Sequence, residues 1–234
     1  MTRPAFRRHG AASCLVIGLL FGLAGVSGAE EPARVTDERM VVEGDTLIFN
    51  TDVFRDSRTQ SARIFYDDDN LFGDMIMNHP DVTRVLVQGS GGSSKAAEGI
   101  VRKIIEFGLD TVATNRCGSS CSTIFLAGDR RTLEQGGWLC FHHAWTTASD
   151  YREIYTSGKD YNDWKDEFEF AQEVFDNGQI ASRDYITFLV SRGVSLDFAL
   201  KTVTYSANDA WCPSREELLM HGVLTDPDDN LSWP

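Results

Sequence analysis

The sequence predicts an α/β fold. Three observations carry this: β-prone runs alternate with helical ones from Met40 to Trp145, a glycine-rich loop joins one strand directly to a helix, and amphipathic helices follow. In "MVVEGDTLIFNT" two short β-prone runs flank Glu43-Gly44-Asp45, a hairpin pattern. "DDDNLFGDMIMNHPDV" opens with aspartates able to cap a helix, and Pro80 closes it. Val82 to Val87 is a short apolar run that reads as a buried strand. In "GSGGSSKAAEGIVRKIIEFG" the glycines open a helix that Ser93 or Ser94 caps. Ala97, Ile100, Val101, Ile104 and Ile105 recur at helical spacing, and Gly108 ends the helix.

"DTVAT" is the next strand, "SSCSTIFLAG" a helix ended by Gly128, and "GWLCFHHAW" another strand. From Tyr161 to Val203 the pattern becomes helical. "WKDEFEFAQEVF" and "SRDYITFLVSRG" read as two long amphipathic helices, and "SLDFALKTV" as a third. Trp164, Phe168, Phe170 and Phe175 are expected to pack between helices rather than to line a ligand site. "REELLMHGVLTD" is a last helix capped by Gly222, followed by a short strand. The chain shows no internal repeat and no Pro/Gly/Ser linker, so residues 41–234 are expected to form one domain behind a polar lead-in, 30–40.

Residues 1–29 read as a secretory signal peptide. Arg3, Arg7 and Arg8 precede an apolar run from Ser13 to Val26, and Ser27 to Ala29 offers small residues for cleavage. An uncleaved anchor is the alternative, disfavoured by the shortness of the run. The arginine-led start suggests a bacterium, so a periplasmic or secreted protein is expected. Without those 29 residues, which hold three arginines and no acids, 19 basic side chains face 35 acidic ones, a balance of −16. Such a surface repels nucleic acid and anionic membranes.

Cys117, Cys121, Cys140 and Cys212 remain in the mature chain. An even number in an oxidising compartment favours two disulfides, for which three pairings exist. Cys-x3-Cys without a nearby histidine is a poor zinc pattern, so no metal is expected. The glycine loop lacks both the phosphate-loop Gly-Lys-Ser/Thr ending and the dinucleotide pattern, and no cofactor is expected.

"RCGSSCSTIFLAG" raises a question of nucleophile or cap. Ser119 follows a strand at a helix start, where a sharp turn can expose a hydroxyl and where N-cap serines are also common. A nucleophilic serine needs a base, a group orienting that base, and donors for an oxyanion. His142 or His143 can supply the base; on a strand they face opposite sides. Asp209 in "SANDAWC" can orient it.

Together these pieces resemble the Clp protease proteolytic subunit and its crotonase-fold relatives, a spiral of ββα units. The resemblance rests on the apolar strand, Gly-Gly loop and helix of "VLVQGSGGSSKAAEGIVRKII", on Ser119 nine residues before Gly128, on the Phe-His of "CFHH", and on "DAWCPSREELLMHGVLTD". It covers residues 82–145 well and 203–226 loosely. "CGSSC" with "CFHH" is most similar to an exported bacterial subgroup.

The resemblance implies a serine hydrolase acting on a peptide or protein, with Ser119, His142 and Asp209 as catalytic residues and an oxyanion hole from the N–H groups of Gly91 or Gly92 and Ser120. A Cys117–Cys121 bond would then clamp the nucleophile turn, and a Cys140–Cys212 bond would tie the base strand to the aspartate loop. Relatives assemble as trimers or rings, implying a homo-oligomer; an ATP-driven unfoldase is not expected outside the cytoplasm. The chain departs from the family at Ser90, where proline is usual, and at Ser120, where methionine is usual. Ser120 is therefore a second candidate nucleophile. A non-catalytic binding or assembly module on the same fold is the main alternative function. A thiol redox protein ranks last, because Cys-x3-Cys is not the usual redox spacing.

Overall fold

The hairpin forms as the sequence predicts: β1 (Met40–Glu43) and β2 (Thr46–Asn50) pair antiparallel, with Gly44 turning the chain at φ +60°. The computed structural model describes residues 38–53, 62–144 and 146–225. The expected signal peptide and the lead-in up to residue 37 lie outside the described residues. The described residues belong to one compact unit.

β3 (Arg84–Gly89) lies parallel to β2, and β4 (Asp110–Gly118) parallel to β3. The other edge of β4 is shared by two short parallel strands, β5 (Arg131–Leu133) and β6 (Trp138–Cys140). Ala113 therefore sits between Val87 and Leu133, and Cys117 between Gly89 and Leu139. Helices α1 (Asp68–Asn78), α2 (Ser94–Phe107) and α3 (Ser120–Phe125) alternate with these strands. The result is an α/β fold in which ββα units, β1–β2–α1 and β5–β6–α4 (Ala148–Gly158), flank βα units.

Local chemistry explains most boundaries. Ser93 caps α2, its hydroxyl accepting from the Ala96 N–H at 3.2 Å, and Gly108 closes the helix in the left-handed region. Ala96, Ala97, Ile100, Val101 and Ile104 face the core with Leu47, Phe49, Val85, Val87, Ile124 and Phe125; Ile105 does not, being exposed. The first aspartates of α1 act differently from the expected caps. Asp67 makes no side-chain cap, while Asp68 is buried and accepts from the buried Arg39 guanidinium at 2.7 and 3.0 Å. This paired charge ties α1 to the start of β1.

Several elements differ from the sequence reading. β4 runs on to Gly118, so Cys117 belongs to a strand, and α3 stops at Phe125 rather than Gly128. The two expected long helices are one, α5 (Glu167–Ser191). Gly178 lies inside it, where a glycine costs only about 1 kcal/mol relative to alanine and cannot by itself break the helix. β5 and α4 escaped the sequence reading: one is three residues long, too short to show a period, and the other has no buried residue. α6 (Leu196–Thr202) and α7 (Arg215–Met220) close the described chain, with Gly222 at φ +71° after α7. Among the described residues no strand follows, but Thr225 exchanges hydrogen bonds with Arg131 on β5.

The buried Arg131 guanidinium gathers that end of the molecule by donating to the carbonyls of Gly128, Arg192, Gly222 and Val223. Burial, with Arg192 nearby, pulls its pKa down to about 10, so it stays a cation at neutral pH. Among the described residues no helix is long and apolar enough to cross a membrane.

Candidate active site

All five parallel strands point toward the same edge of the sheet, and the three sequence-predicted parts of the site leave from the ends of β3, β4 and β6. The glycine loop follows Gly89 of β3, Ser119 follows Gly118 of β4, and His142 stands two residues after Cys140 of β6. In open α/β sheets this carboxyl edge is where ligands bind. Gly118 and Cys140 are register partners, and the Ser119 N–H donates to the Cys140 carbonyl at 3.0 Å. The turn that carries Ser119 and the strand that leads to His142 are thus joined by main-chain contacts.

Ser119 adopts φ +57° and ψ −128°, a strained conformation for a residue with a Cβ. Such outliers cost about 1–3 kcal/mol and persist where the surroundings impose them. Ser119 occupies the N-cap position of α3, but its side chain caps nothing and makes no hydrogen bond among the described residues. The expectation of an ordinary N-cap serine is not what the structure shows.

Ser120 has a committed hydroxyl. It is buried, and its Oγ donates to the Gly92 carbonyl at 3.0 Å, tying the glycine loop to the start of α3. Gly91 lies against the same turn at φ +94°. A Cβ there would stand 2.7 Å from Ser119 Cβ and 2.9 Å from Ser120 N, so only glycine fits. Ser120 N–H, at the first position of α3, is outside the helix's own hydrogen-bond ladder. The loop's other face is held by Ile64, whose N–H donates to Gly91 O at 2.8 Å and whose carbonyl accepts from Ser93 N–H.

His142 is pinned from both sides. Phe141 exchanges two backbone hydrogen bonds with Trp211, and the His143 N–H donates to the Tyr205 carbonyl at 2.9 Å. Phe141 is buried among Phe198 and Trp211, with ring centroids at 5.3 and 6.2 Å. His142 Nδ1 lies 2.7 Å from the His143 carbonyl oxygen. A carbonyl only accepts, so in the neutral ring Nδ1 carries the proton and Nε2 keeps its lone pair. That is the tautomer a general base requires. The equivalent nitrogen of His143 is turned onto the Ala144 carbonyl.

Asp209 is not joined to His142. It ends a 3-10 turn, Ala207–Asp209, is exposed, and makes no side-chain hydrogen bond among the described residues. The orienting contact expected from its carboxylate is made by the His143 carbonyl instead.

Two disulfides frame the site. Cys117–Cys121 closes a short ring around Ser119, and Cys140–Cys212 joins the end of β6 to the segment after Trp211. Sequence reasoning missed Ser122. It is fully buried, and its hydroxyl lies 2.7 Å from the Cys117 carbonyl and 2.9 Å from the Cys140 carbonyl, bridging the ends of β4 and β6. Nothing in its spacing marks it out.

A polar network lines the neighbouring strand ends. Arg116 donates to Asp52 at 2.7 Å, Gln88 donates to the same carboxylate at 3.0 Å, and Asn115 donates to Gln88. Burial raises the Asp52 carboxyl, but the Arg116 and Gln88 hydrogen bonds outweigh it and hold it below its ordinary value. Among the described residues no group of His, Cys, Asp and Glu side chains is arranged to hold a metal ion.

No protein-family model matches the sequence, and no curated protein matches it. Among solved structures, the chain is similar to a point mutant of ClpP1 from Listeria monocytogenes. The identity is 16%, the overlap covers 69% of this chain and 84% of that one, and the TM-score is 0.48. It is also similar to a protein assigned as an enoyl-CoA hydratase from Streptomyces coelicolor A3(2), at 11% identity over 87% of this chain and 71% of that one, again with a TM-score of 0.48.

Proposed function

We propose that this chain is an exported serine hydrolase of peptides or proteins, with Ser119 as nucleophile and His142 as general base. One observation carries the reading: a serine with an uncommitted hydroxyl is held at φ +57° on the strand end that pairs with the strand leading to a histidine. Ser120, whose hydroxyl is spent on Gly92, is the weaker candidate.

In this mechanism Nε2 of His142 takes the Ser119 proton as Oγ attacks the substrate carbonyl. The new imidazolium keeps its Nδ1–H on the His143 carbonyl, which accepts more strongly from a cationic donor. The N–H groups of Gly91 or Gly92 and of Ser120 receive the oxyanion. His142 then returns the proton to the leaving amine, and activates water to release the acyl group. The two disulfides hold the turn and the base strand in register in an oxidising compartment.

The test is covalent labelling of the oxidised mature chain with a fluorophosphonate, located by mass spectrometry. Label on Ser119 that disappears in Ser119→Ala and His142→Ala, but not in Ser120→Ala, supports the reading. A folded, oxidised chain that takes no label would select the non-catalytic binding module, which the separation of Asp209 from His142 favours.

A further inference from the structure

The arm formed by α4 and the first half of α5 is exposed in a way the rest of the chain is not. α4 has no buried residue. Trp164 and Phe170 form a small cluster with Tyr155, but Phe168 and Phe175 stay 76% and 68% exposed. Between the helices runs an open groove of about 830 Å³ lined by Tyr151, Phe170, Val174 and Phe175, with Gly178 and Ser182 at its far end. Exposed aromatics two turns apart on one helix, Phe175 lining the groove and Phe168 beyond its lining, mark a docking surface more than a solvent face.

Charge says what docks there. From Ala148 to Asp184 the chain holds ten acidic and four basic side chains. Three of those cations are already engaged within the arm: Lys165 with Glu169, Arg183 with Asp184, and Lys159 over the Tyr155 ring. Glu153, Glu167 and Asp176 make no ion pair or side-chain hydrogen bond among the described residues. A second copy of this face would bring two strongly acidic arms together. An amphipathic helix with an apolar stripe and lysine or arginine flanks would fill the groove and neutralise its rim.

The geometry points to the α4–α5 groove as a docking site for a cationic amphipathic segment of another polypeptide. α4 starts at Ala148, six residues after His142 along the chain. Any consequence of docking for substrate choice rests on the hydrolase reading; the binding itself does not.

The test uses the oxidised mature chain carrying Ser119→Ala, so binding is read without turnover. The probe is a fluorescein-labelled amphipathic Leu/Lys helix, with a Leu/Glu helix as its counterpart, followed by anisotropy. The Leu/Lys probe is expected to bind, and to bind about tenfold or more weakly to the Phe168→Ser/Phe175→Ser variant, whose melting is unchanged because both positions are exposed. Glu167→Gln/Asp176→Asn should weaken it about threefold and flatten its dependence on salt up to about 0.15 M. Equal binding of both probes, or binding indifferent to the phenylalanine pair, would overturn the proposal. So would sedimentation showing an oligomer that the phenylalanine variant dissociates and the probe does not, or flotation with zwitterionic vesicles that this variant abolishes. Those outcomes give the face to a second copy or to a lipid surface.

Discussion

At the carboxyl end of the sheet Phe141 is 1% exposed and wedged against Phe198 and Trp211; on the arm Phe175 is 68% exposed and borders an open groove. At the sheet end, main-chain ladders, two disulfides and buried hydroxyls over-determine each backbone position. On the arm, one long helix and a short partner hold together through a few rings. The difference teaches where each kind of function can reside. A strained serine needs surroundings that pay its conformational cost, whereas an adaptable docking face needs apolar surface left unsatisfied.

Matched glycine substitutions break the comparison most sharply. Gly91→Ala drives a Cβ into Ser119 and Ser120 at φ +94°, and is expected to abolish labelling of Ser119 and to cost about 3 kcal/mol or more in a urea titration. Gly178→Ala meets nothing within 4 Å on the arm, and should instead stabilise by about 0.5–1 kcal/mol with labelling intact. Equal effects would mean that the two regions are not built differently.

Ser122→Ala comes next. It removes the one hydroxyl proton that the Cys117 and Cys140 carbonyls share, at a cost of about 1–3 kcal/mol by thermal unfolding, and should slow labelling of Ser119. Ser119→Gly is expected to remove labelling yet raise stability by about 1 kcal/mol, because glycine accepts a φ of +57° without strain. A loss of stability would show that the serine is not strained.

The smallest effect is in acid. Asp52 sits below its ordinary value of 3.8, so its pairing with Arg116 contributes stability that is complete above that value and is lost as pH falls through the lower, folded-state one. The urea midpoint should therefore decline less steeply below pH 3.8 in Arg116→Gln than in the parent chain.

The strand–helix alternation, the α2 face and the glycine loop were legible because each follows from periodicity or from a residue with one conformational use. Ser119 was legible only as a candidate: its strain depends on Gly91 and Cys140, contributed by the loop after β3 and by β6. The orienting group was not legible at all. A carboxylate can be picked out in a sequence, whereas every residue carries a carbonyl, and only the fold turns that of His143 toward Nδ1. Phe168 and Phe175 misled for the opposite reason. Helical spacing reports a stripe but not whether anything covers it.

The central claim is a Ser119–His142 pair oriented by a main-chain carbonyl. The rate of fluorophosphonate labelling at Ser119, compared between His142→Ala and Asp209→Ala with both disulfides intact, tests it most directly. The account predicts that His142→Ala slows labelling by about a thousandfold or more while Asp209→Ala stays within about tenfold of the parent chain. Equal, large losses in both variants would contradict it and return the orienting role to Asp209.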